Sequence, residues 1–237
     1  MILHLIAAGA SKGLVTELQP RFTAETGNAL DAVFVAAGAV RDRFLAGDPC
    51  DVVILTAALL EQLGARGMLQ GQAAPIGVAR TGIAVPQGQP VPDVGTSVGL
   101  RNALLAAGGI YVPDPQISTA GIHFMRVLRE LGIQEEVLPN LRPFPNGATA
   151  MHNLAQASEP GAIGCTQITE IVCTPGLTVA GPLPEVLGLA TIYAAAVAAR
   201  SVQPDVAQRL VTLLTGPESA SLRSAGGFET PPDDAAR

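Results

Sequence analysis

The sequence predicts an α/β protein whose sheets are mostly parallel and are covered by helices. Short, continuous apolar segments alternate with segments of helical spacing along most of the 237 residues. Such strands are typical of parallel sheets that are buried on both faces. Five Pro and Gly residues within residues 86–95 then mark a change of region. The length permits either one large domain or two lobes.

The first region consists of three strand–helix pairs. The predicted strands cover residues 2–6, 30–34 and 52–55, and the predicted helices cover residues 12–26, 39–46 and 57–65. Leu14, Leu18 and Phe22 recur every four residues on one face of the first helix, which we expect Gly27 to end. Pro20 predicts a kink in this helix.

The second region begins with a strand over residues 80–85 and repeats the alternation. Further strands are predicted over residues 110–112 and 162–165, and helices over residues 98–107, 120–131, 147–157 and 168–171. On the helix over residues 120–131, the residues expected to face the core are Ile122, Met125, Leu128 and Leu131. Residues 187–199 predict a strand that returns to the first region, followed by helices over residues 205–214 and 217–225 and a loose tail over residues 230–237.

Composition excludes several classes of partner. The chain is 48% hydrophobic and 14% charged, and its net charge of −6 without a basic run argues against nucleic acid. No apolar segment reaches the roughly 18 residues that span a bilayer, so we expect no membrane span. The three cysteines form no CxxC motif and are expected to be small, buried or half-buried hydrophobes.

The motif content predicts neither a metal nor a cofactor. There is no HxH, HExxH or Cys/His cluster, no phosphate-binding loop and no dinucleotide fingerprint. No signal-peptide pattern precedes the first strand. Two expectations for location follow: periplasmic if a signal peptide has been removed, and otherwise cytoplasmic.

Four strand ends are followed by a turn of small residues and a helix start, at residues 7–14, 36–39, 118–121 and 146–149. A helix N-terminus carries unpaired N–H groups and the positive end of the helix dipole, which together favour an anion. Four such turns in one chain predict an anion site that is built from helix N-termini.

Each polar candidate at these turns has two interpretations. Ser11 either caps the first helix or donates to a ligand, and Lys12 opposes the helix dipole unless it serves an anion. Arg80 either grips a carboxylate or forms a surface salt bridge. Residues that either cap a helix or donate to ligand oxygens are Thr119, Asn146, Thr166 and Gln167.

Histidine offers the candidates for proton transfer. His123 lies one turn into the helix that follows residues 118–121, and it is either a general base or a structural residue. His4 falls inside the first strand and is expected to be structural. His152 lies in mid-helix and is expected to pack or to lie at the surface.

Several segments resemble the molybdate-type periplasmic solute-binding proteins, and the resemblance covers nearly the whole chain. They are residues 7–11, Phe22 with residues 25–27, residues 45–54, residues 114–115, residues 120–121 and residues 160–164. The resemblance implies the class II periplasmic-binding fold, in which two strands cross a hinge. It implies a discontinuous first lobe over residues 1–82 and 187–237, and a second lobe over residues 83–186.

In that family, a serine at the first helix start and another after the second strand hold the oxyanion between the lobes. Here those positions fall on Ala10 and Ala37, and the position of a second-lobe tyrosine falls near Thr166. Backbone donors matching Ala120 and Gly147 would remain. A buried oxyanion would lose about 1–3 kcal/mol for each missing hydrogen bond, which favours an organic polycarboxylate over molybdate.

A second resemblance is to the trans-aconitate isomerase branch of the same fold, in residues 8–14, 80–85, 118–124 and 144–149. Two functions therefore stand side by side. A binding protein would close on a small anion, without a cofactor, and would pass it to ABC transporter membrane subunits if exported. An isomerase would move a proton between allylic carbons of a small polycarboxylate, with His123, Lys12 and Ser11 as catalytic candidates. The ligand-binding candidates are Ala10, Ser11, Lys12, Ala37, Gly38, Arg80, Thr81, Thr119, Ala120, Asn146, Gly147 and Thr166.

Overall fold

The computed structural model describes residues 1–231, so most of the predicted loose tail lies outside the described residues. The strands are β1 (Ile2–Ala8), β2 (Ala29–Val35), β3 (Val52–Thr56), β4 (Leu69–Pro86), β5 (Ile110–Pro113), β6 (Leu141–Phe144), β7 (Ile163–Gln167), β8 (Leu177–Pro182) and β9 (Ala190–Ala198). The α-helices are α1 (Lys12–Thr26), α2 (Ala37–Ala46), α3 (Ala57–Ala65), α4 (Ser97–Ala106), α5 (Thr119–Glu130), α6 (Gln134–Val137), α7 (Gly147–Leu154), α8 (Ile168–Val172), α9 (Pro204–Thr215) and α10 (Ala220–Ala225).

The chain divides into two compact units. Unit 1 consists of Met1–Ala79 together with residues 191–231, and unit 2 is Arg80–Ala190. The sequence predicted these boundaries after residues 82 and 186. Strand β4 contributes residues to both units, because the first boundary falls inside it.

Unit 1 is a sheet with the strand order β2-β1-β3-β9-β4. Strand β1 is parallel to β2 and β3, and β9 is antiparallel to β3. Alternation along β1 sends side chains to both faces of the sheet. Leu3 and Leu5 join a core with residues of α1 and α9, whereas Ile6 joins a second core with residues of α2 and α3.

Glycine ends the first two helices of unit 1 as the sequence predicted. Gly27 follows α1 with φ 68° and Gly47 follows α2 with φ 92°, both in the left-handed region that ends helices. The predicted bounds of α1 and α3 agree with the structure, and α1 continues through Pro20 to Thr26.

Unit 2 places the second half of β4 in the strand order β4-β7-β5-β6, with β8 also paired to β4. Strand β5 is parallel to β6 and β7, whereas β4 is antiparallel to β7. One face of this sheet packs against apolar residues of α4 and α5. The other face packs against residues of α7 and α8.

The predicted inward face of α5 is wrong for Ile122, which is 47% exposed, while Phe124 is fully buried. Gly121 explains the difference. A Cβ at this position would overlap the carbonyl oxygens of Pro113 and Asp114, so α5 approaches the end of β5 along its glycine. That close approach places Gly121 and Phe124 against the sheet and turns Ile122 towards solvent.

The elements not predicted from the sequence are the first half of β4, β6, α6 and β8. The first half of β4 begins with exposed polar and glycine residues, and β6 contains Pro143. The strand predicted over residues 187–199 begins only at Ala190, because a 3₁₀ turn covers Glu185–Leu187. Helix α7 ends at Leu154 rather than at residue 157.

The three cysteines differ in solvent exposure. Cys50 and Cys165 are buried and free, and burial raises the pKa of the Cys50 thiol to about 12. Cys173 is exposed, so the prediction of a small, buried or half-buried hydrophobe is wrong for this residue. Among residues 1–231, no helix combines the length and apolar character that crossing a membrane requires.

Two glycine substitutions test the helix ends. Gly27→Ala should destabilise the protein by roughly 1 kcal/mol, because φ of 68° disfavours any residue with a Cβ. Gly64→Ala is the control. Gly64 lies inside α3, where an added Cβ would make only an ordinary contact with Leu69, so this change should stabilise by up to about 1 kcal/mol. Urea unfolding of both variants gives the two free energies of unfolding, and equal signs would contradict the prediction.

Candidate functional site

The carboxyl ends of β1 and β2 bring two predicted turns together in unit 1. These strands are parallel, and their register pairs Ala8 with Val35. Strand β1 is followed by the 3₁₀ turn Gly9–Ser11 and then by α1, and β2 is followed by α2. The predicted ligand residues of both turns therefore lie at the same sheet edge. Ala10 and Ala37 are buried there.

Ser11 and Lys12 have different surroundings. Ser11 is completely buried, and its Oγ donates to the Ala8 carbonyl oxygen at 2.8 Å. Its side chain therefore closes the 3₁₀ turn and does not cap α1. Lys12 is the first residue of α1 and is exposed.

The first turns of α1 and α2 lack side-chain capping. Among the described residues, neither Ser11 nor Ala36 makes a capping hydrogen bond, and neither first turn contains an acidic residue. In α3 of the same unit, by contrast, Thr56 Oγ1 accepts from the Leu59 N–H at 3.4 Å. At α1 the Lys12 N–H already donates to the Gly9 carbonyl oxygen, so the donors left for an anion are those of the 3₁₀ turn Gly9–Ser11 and of the first turn of α2.

The corresponding edge of unit 2 gathers the predicted residues of the second region. Register pairs Pro113 with Phe144 between β5 and β6, and Tyr111 with Gly164 between β5 and β7. Thr81 on β4 lies opposite Gln167 at the end of β7. The predicted residues that lie on these strands or in the helix starts that follow them are Thr81, Thr119, Ala120, Asn146, Gly147 and Thr166.

The helix starts at this edge differ in capping. Asn146 Oδ1 accepts from the Thr149 N–H at 2.8 Å, so it caps α7. Ser118 precedes α5 without a capping hydrogen bond in the part of the chain that the structure describes, and the first turn of α5 contains no acidic residue. Helix α5 thus shares the uncapped start of α1 and α2. Helix α9 is uncapped as well, but Asp205 in its first turn offsets its dipole.

Thr81 contributes an unusual hydroxyl. It is 1% exposed, and its Oγ1 has no hydrogen-bond partner within residues 1–231. A cavity of about 510 Å³ in unit 2 is lined by Thr81, the exposed Arg80, residues 180–185 and Leu189. An unpaired buried hydroxyl costs free energy, which a ligand acceptor at this cavity would recover.

His123 is half-buried and links α5 to the segment before β9. Its Nε2 donates to the Leu187 carbonyl oxygen at 2.8 Å. This bond fixes the proton on Nε2 and leaves Nδ1 as the acceptor of the neutral ring. His4 contacts Asp31 at 3.2 Å, and His152 is exposed and bonded to Gln156.

Glu170, on the first turn of α8, was not among the residues predicted from the sequence. It is 5% exposed, and Thr166 Oγ1 donates to its Oε2 at 2.5 Å. The backbone N–H groups of Gln167 and Ala148 also donate to this carboxylate. The spacing of Gln167 and Glu170, an N-cap position followed three residues later by Glu, is the capping-box spacing that could have identified it. In the chain up to residue 231, no three His, Cys, Asp or Glu side chains group as metal ligands.

Known proteins are similar to this chain over nearly its whole length. The model of the bacterial extracellular solute-binding protein family covers residues 3–229. The aconitate isomerase of Pseudomonas sp is 25% identical over 240 residues, which are 97% of this chain and 88% of the isomerase. The predicted resemblance to this branch is supported by that relative.

Solved structures confirm the predicted class II periplasmic-binding fold. The periplasmic molybdate-binding protein of Azotobacter vinelandii has a TM-score of 0.78 at 18% identity, covering 97% of this chain and all of the other. The tungstate ABC transporter structure from Geobacter sulfurreducens has a TM-score of 0.67 at 18% identity, covering 94% of this chain and 97% of the other. With a family model that spans nearly the entire sequence, the chain belongs to the bacterial extracellular solute-binding protein family.

Proposed function

We propose that this solute-binding protein binds a small organic polycarboxylate through uncapped helix starts. The observation that carries the proposal is the set of uncapped helix starts at α1, α2 and α5. Each presents backbone N–H groups and the positive end of a helix dipole, in α1 by way of the 3₁₀ turn Gly9–Ser11 that precedes it. None has a competing acidic side chain in its first turn among the described residues. Lys12 adds a positive charge at one of them.

The site favours carboxylates over tetrahedral oxyanions. Two serine hydroxyls that hold the oxyanion in the molybdate-type family are methyl groups here, at Ala10 and Ala37. The hydroxyl of Thr166, near the family's tyrosine position, already donates to Glu170. Each missing bond costs a buried oxyanion about 1–3 kcal/mol. A flexible polycarboxylate can instead distribute its charges over separate helix starts, with Thr81 and Arg80 as further candidate contacts.

Isomerisation is the second candidate, and the relationship to aconitate isomerase over 97% of the chain favours it. The reaction needs a group that takes a proton from one allylic carbon and returns it to the other. Of the predicted candidates, His123 keeps Nδ1 for this role and Lys12 is exposed, whereas the Ser11 proton is directed at a carbonyl. The binding role instead implies export to the periplasm and delivery to ABC transporter membrane subunits, in keeping with the family.

Calorimetry against citrate, trans-aconitate, molybdate and tungstate tests the ligand class. The two carboxylates should bind, and the two oxyanions should bind weakly or not at all. Lys12→Gln should weaken carboxylate binding roughly twofold to fivefold, since an exposed charge contact contributes about 0.5–1 kcal/mol. Arg66→Gln, which removes an exposed charge at the C-terminus of α3, should leave affinity unchanged. Submicromolar molybdate binding by the unmodified protein would refute the carboxylate preference.

Restoring two hydroxyls should shift the preference. The double variant Ala10→Ser, Ala37→Ser should gain at least roughly tenfold in molybdate affinity, because each new donor contributes about 1 kcal/mol. Ala65→Ser, at the far end of α3, serves as the control for a surface serine. A folded double variant whose molybdate affinity equals that of the unmodified protein would show that these positions do not contact the ligand.

Proton NMR of cis- and trans-aconitate in D₂O tests the isomerase. Catalysis by an allylic proton shift should interconvert the isomers and place solvent deuterium on the allylic carbons. His123→Gln should slow the reaction by at least roughly a hundredfold if its ring transfers the proton. Tight binding of aconitate without interconversion at high protein concentration would leave the binding role and reject the isomerase for this substrate.

A further inference from the structure

Glu170 provides unit 2 with an internal anion. Its carboxylate accepts hydrogen bonds from Thr166 Oγ1, from the Gln167 N–H and from the Ala148 N–H at the start of α7. The side chain thus spans from α8 to the N-terminus of the neighbouring helix. No cation is among the groups that bind it in the described part of the chain, so this buried carboxylate depends on three dipolar donors alone.

The start of α7 is shaped around this carboxylate. A Cβ on Gly147 would overlap both Glu170 Oε2 and Thr166 Oγ1, so only glycine lets the helix approach so closely. The next two N–H groups of α7, those of Ala148 and Thr149, go to Glu170 and to Asn146 Oδ1. Helix α7 therefore differs from α1, α2 and α5, because side chains of the protein itself satisfy its first turn.

The titratable neighbours of Glu170 are few. On the elements that pack around α8, the titratable residues are the exposed His152 of α7, the buried Cys165 of β7 and the exposed Arg80 of β4. Strand β8 has no titratable residue, and the exposed Cys173 follows the end of α8. Burial raises the pKa of the Glu170 carboxyl to about 6, although the three donated hydrogen bonds act in the opposite direction. Its charge is therefore present at neutral pH and is lost in mildly acidic solution.

We propose that Glu170 determines which ligands unit 2 accepts. Its carboxylate fills the anion position at the N-terminus of α7, so an inorganic dianion is repelled from this helix start. The part of a ligand that meets α7 must then be uncharged or a hydrogen-bond donor, such as a hydroxyl or a protonated carboxyl group. The inference rests on the proposed anion-binding function and narrows it to organic acids that can turn an uncharged or hydrogen-bond-donating part of the molecule towards α7.

Glu170→Gln tests this role, because it removes the charge and keeps the shape and an acceptor oxygen. Calorimetry with sulfate, a dianion throughout the range, is carried out at pH 5 and pH 8. The variant should bind sulfate at least tenfold more tightly than the unmodified protein at pH 8. At pH 5, where Glu170 itself is mostly protonated, the difference should largely disappear. Glu130→Gln removes an exposed charge at the end of α5 and should match the unmodified protein at both pH values.

Thr166→Val gives an independent readout. Loss of the hydroxyl donor should raise the pKa of Glu170, so the midpoint of the pH dependence of sulfate binding should move upward. If Glu170 only held α7 and α8 together, Thr166→Val would leave the midpoint of sulfate binding unchanged.

Folding is checked by the pH dependence of thermal unfolding. The folded-state pKa of Glu170 lies above its ordinary value of 4.5, so its protonation stabilises the protein below about pH 4.5, and this gain is lost as pH rises through about 6. Glu170→Gln mimics the protonated form. Its unfolding temperature should therefore not be lower than that of the unmodified protein at pH 8.

The outcomes separate the two proposals. Sulfate binding gained by Glu170→Gln supports the role of Glu170, even if the unmodified protein binds no carboxylate and the proposed ligand class fails. Carboxylate binding by the unmodified protein, together with identical sulfate binding and pH profiles in the folded Glu170→Gln variant, overturns the role of Glu170 alone. Absence of any anion binding in all variants overturns both.

Discussion

The parallel pairing of strands is the constraint on which the candidate site depends. Parallel neighbours end at the same edge of a sheet, and each is followed by a crossover helix whose N-terminus lies at that edge. In unit 1 the pairing of Ala8 with Val35 places two helix starts side by side. In unit 2 the register of β5 with β6 and β7 does the same. Capping then decides which of these starts stay available: α3 and α7 are closed by Thr56 and Asn146, while α1, α2 and α5 are open.

The elements that could be predicted from the sequence are those with a strong local signal. Helix α1 has apolar residues every four positions and a terminal glycine, and both of its ends agree with the structure. Strand β3 is a short apolar run, and its position was predicted to within one residue. The first half of β4 gives a weaker signal, since Gly71, Pro75 and Gly77 interrupt its apolar residues. The exposure of Ile122 likewise follows from a close contact at Gly121 that periodicity cannot reveal.

The site built from the four small-residue turns stays a prediction. The structure shows that the turns at residues 7–14 and 36–39 follow neighbouring parallel strands in unit 1, and that those at residues 118–121 and 146–149 do so in unit 2. The partners of the polar atoms there depend on distances that spacing alone cannot supply. The Ser11 hydroxyl turns back to Ala8, and the Nε2 of His123 is taken by Leu187. Glu170 was missed because its partners, Ala148 and Thr166, come from other elements and meet it only in the folded unit.

The position of β9 also affects how the chain acquires its structure during synthesis. Strand β9 pairs along β3 and is followed by β4 in the order of the unit 1 sheet, yet among residues 1–231 it is the last strand to be synthesised. Until β9 has been synthesised, one side of β3 has no partner strand, and α9 is not yet present to cover the sheet. Unit 2 is continuous in sequence and needs no later segment. Unit 1 therefore acquires its complete core only after unit 2 has been synthesised, and an unpaired strand edge of this kind is what chaperones protect in a nascent chain.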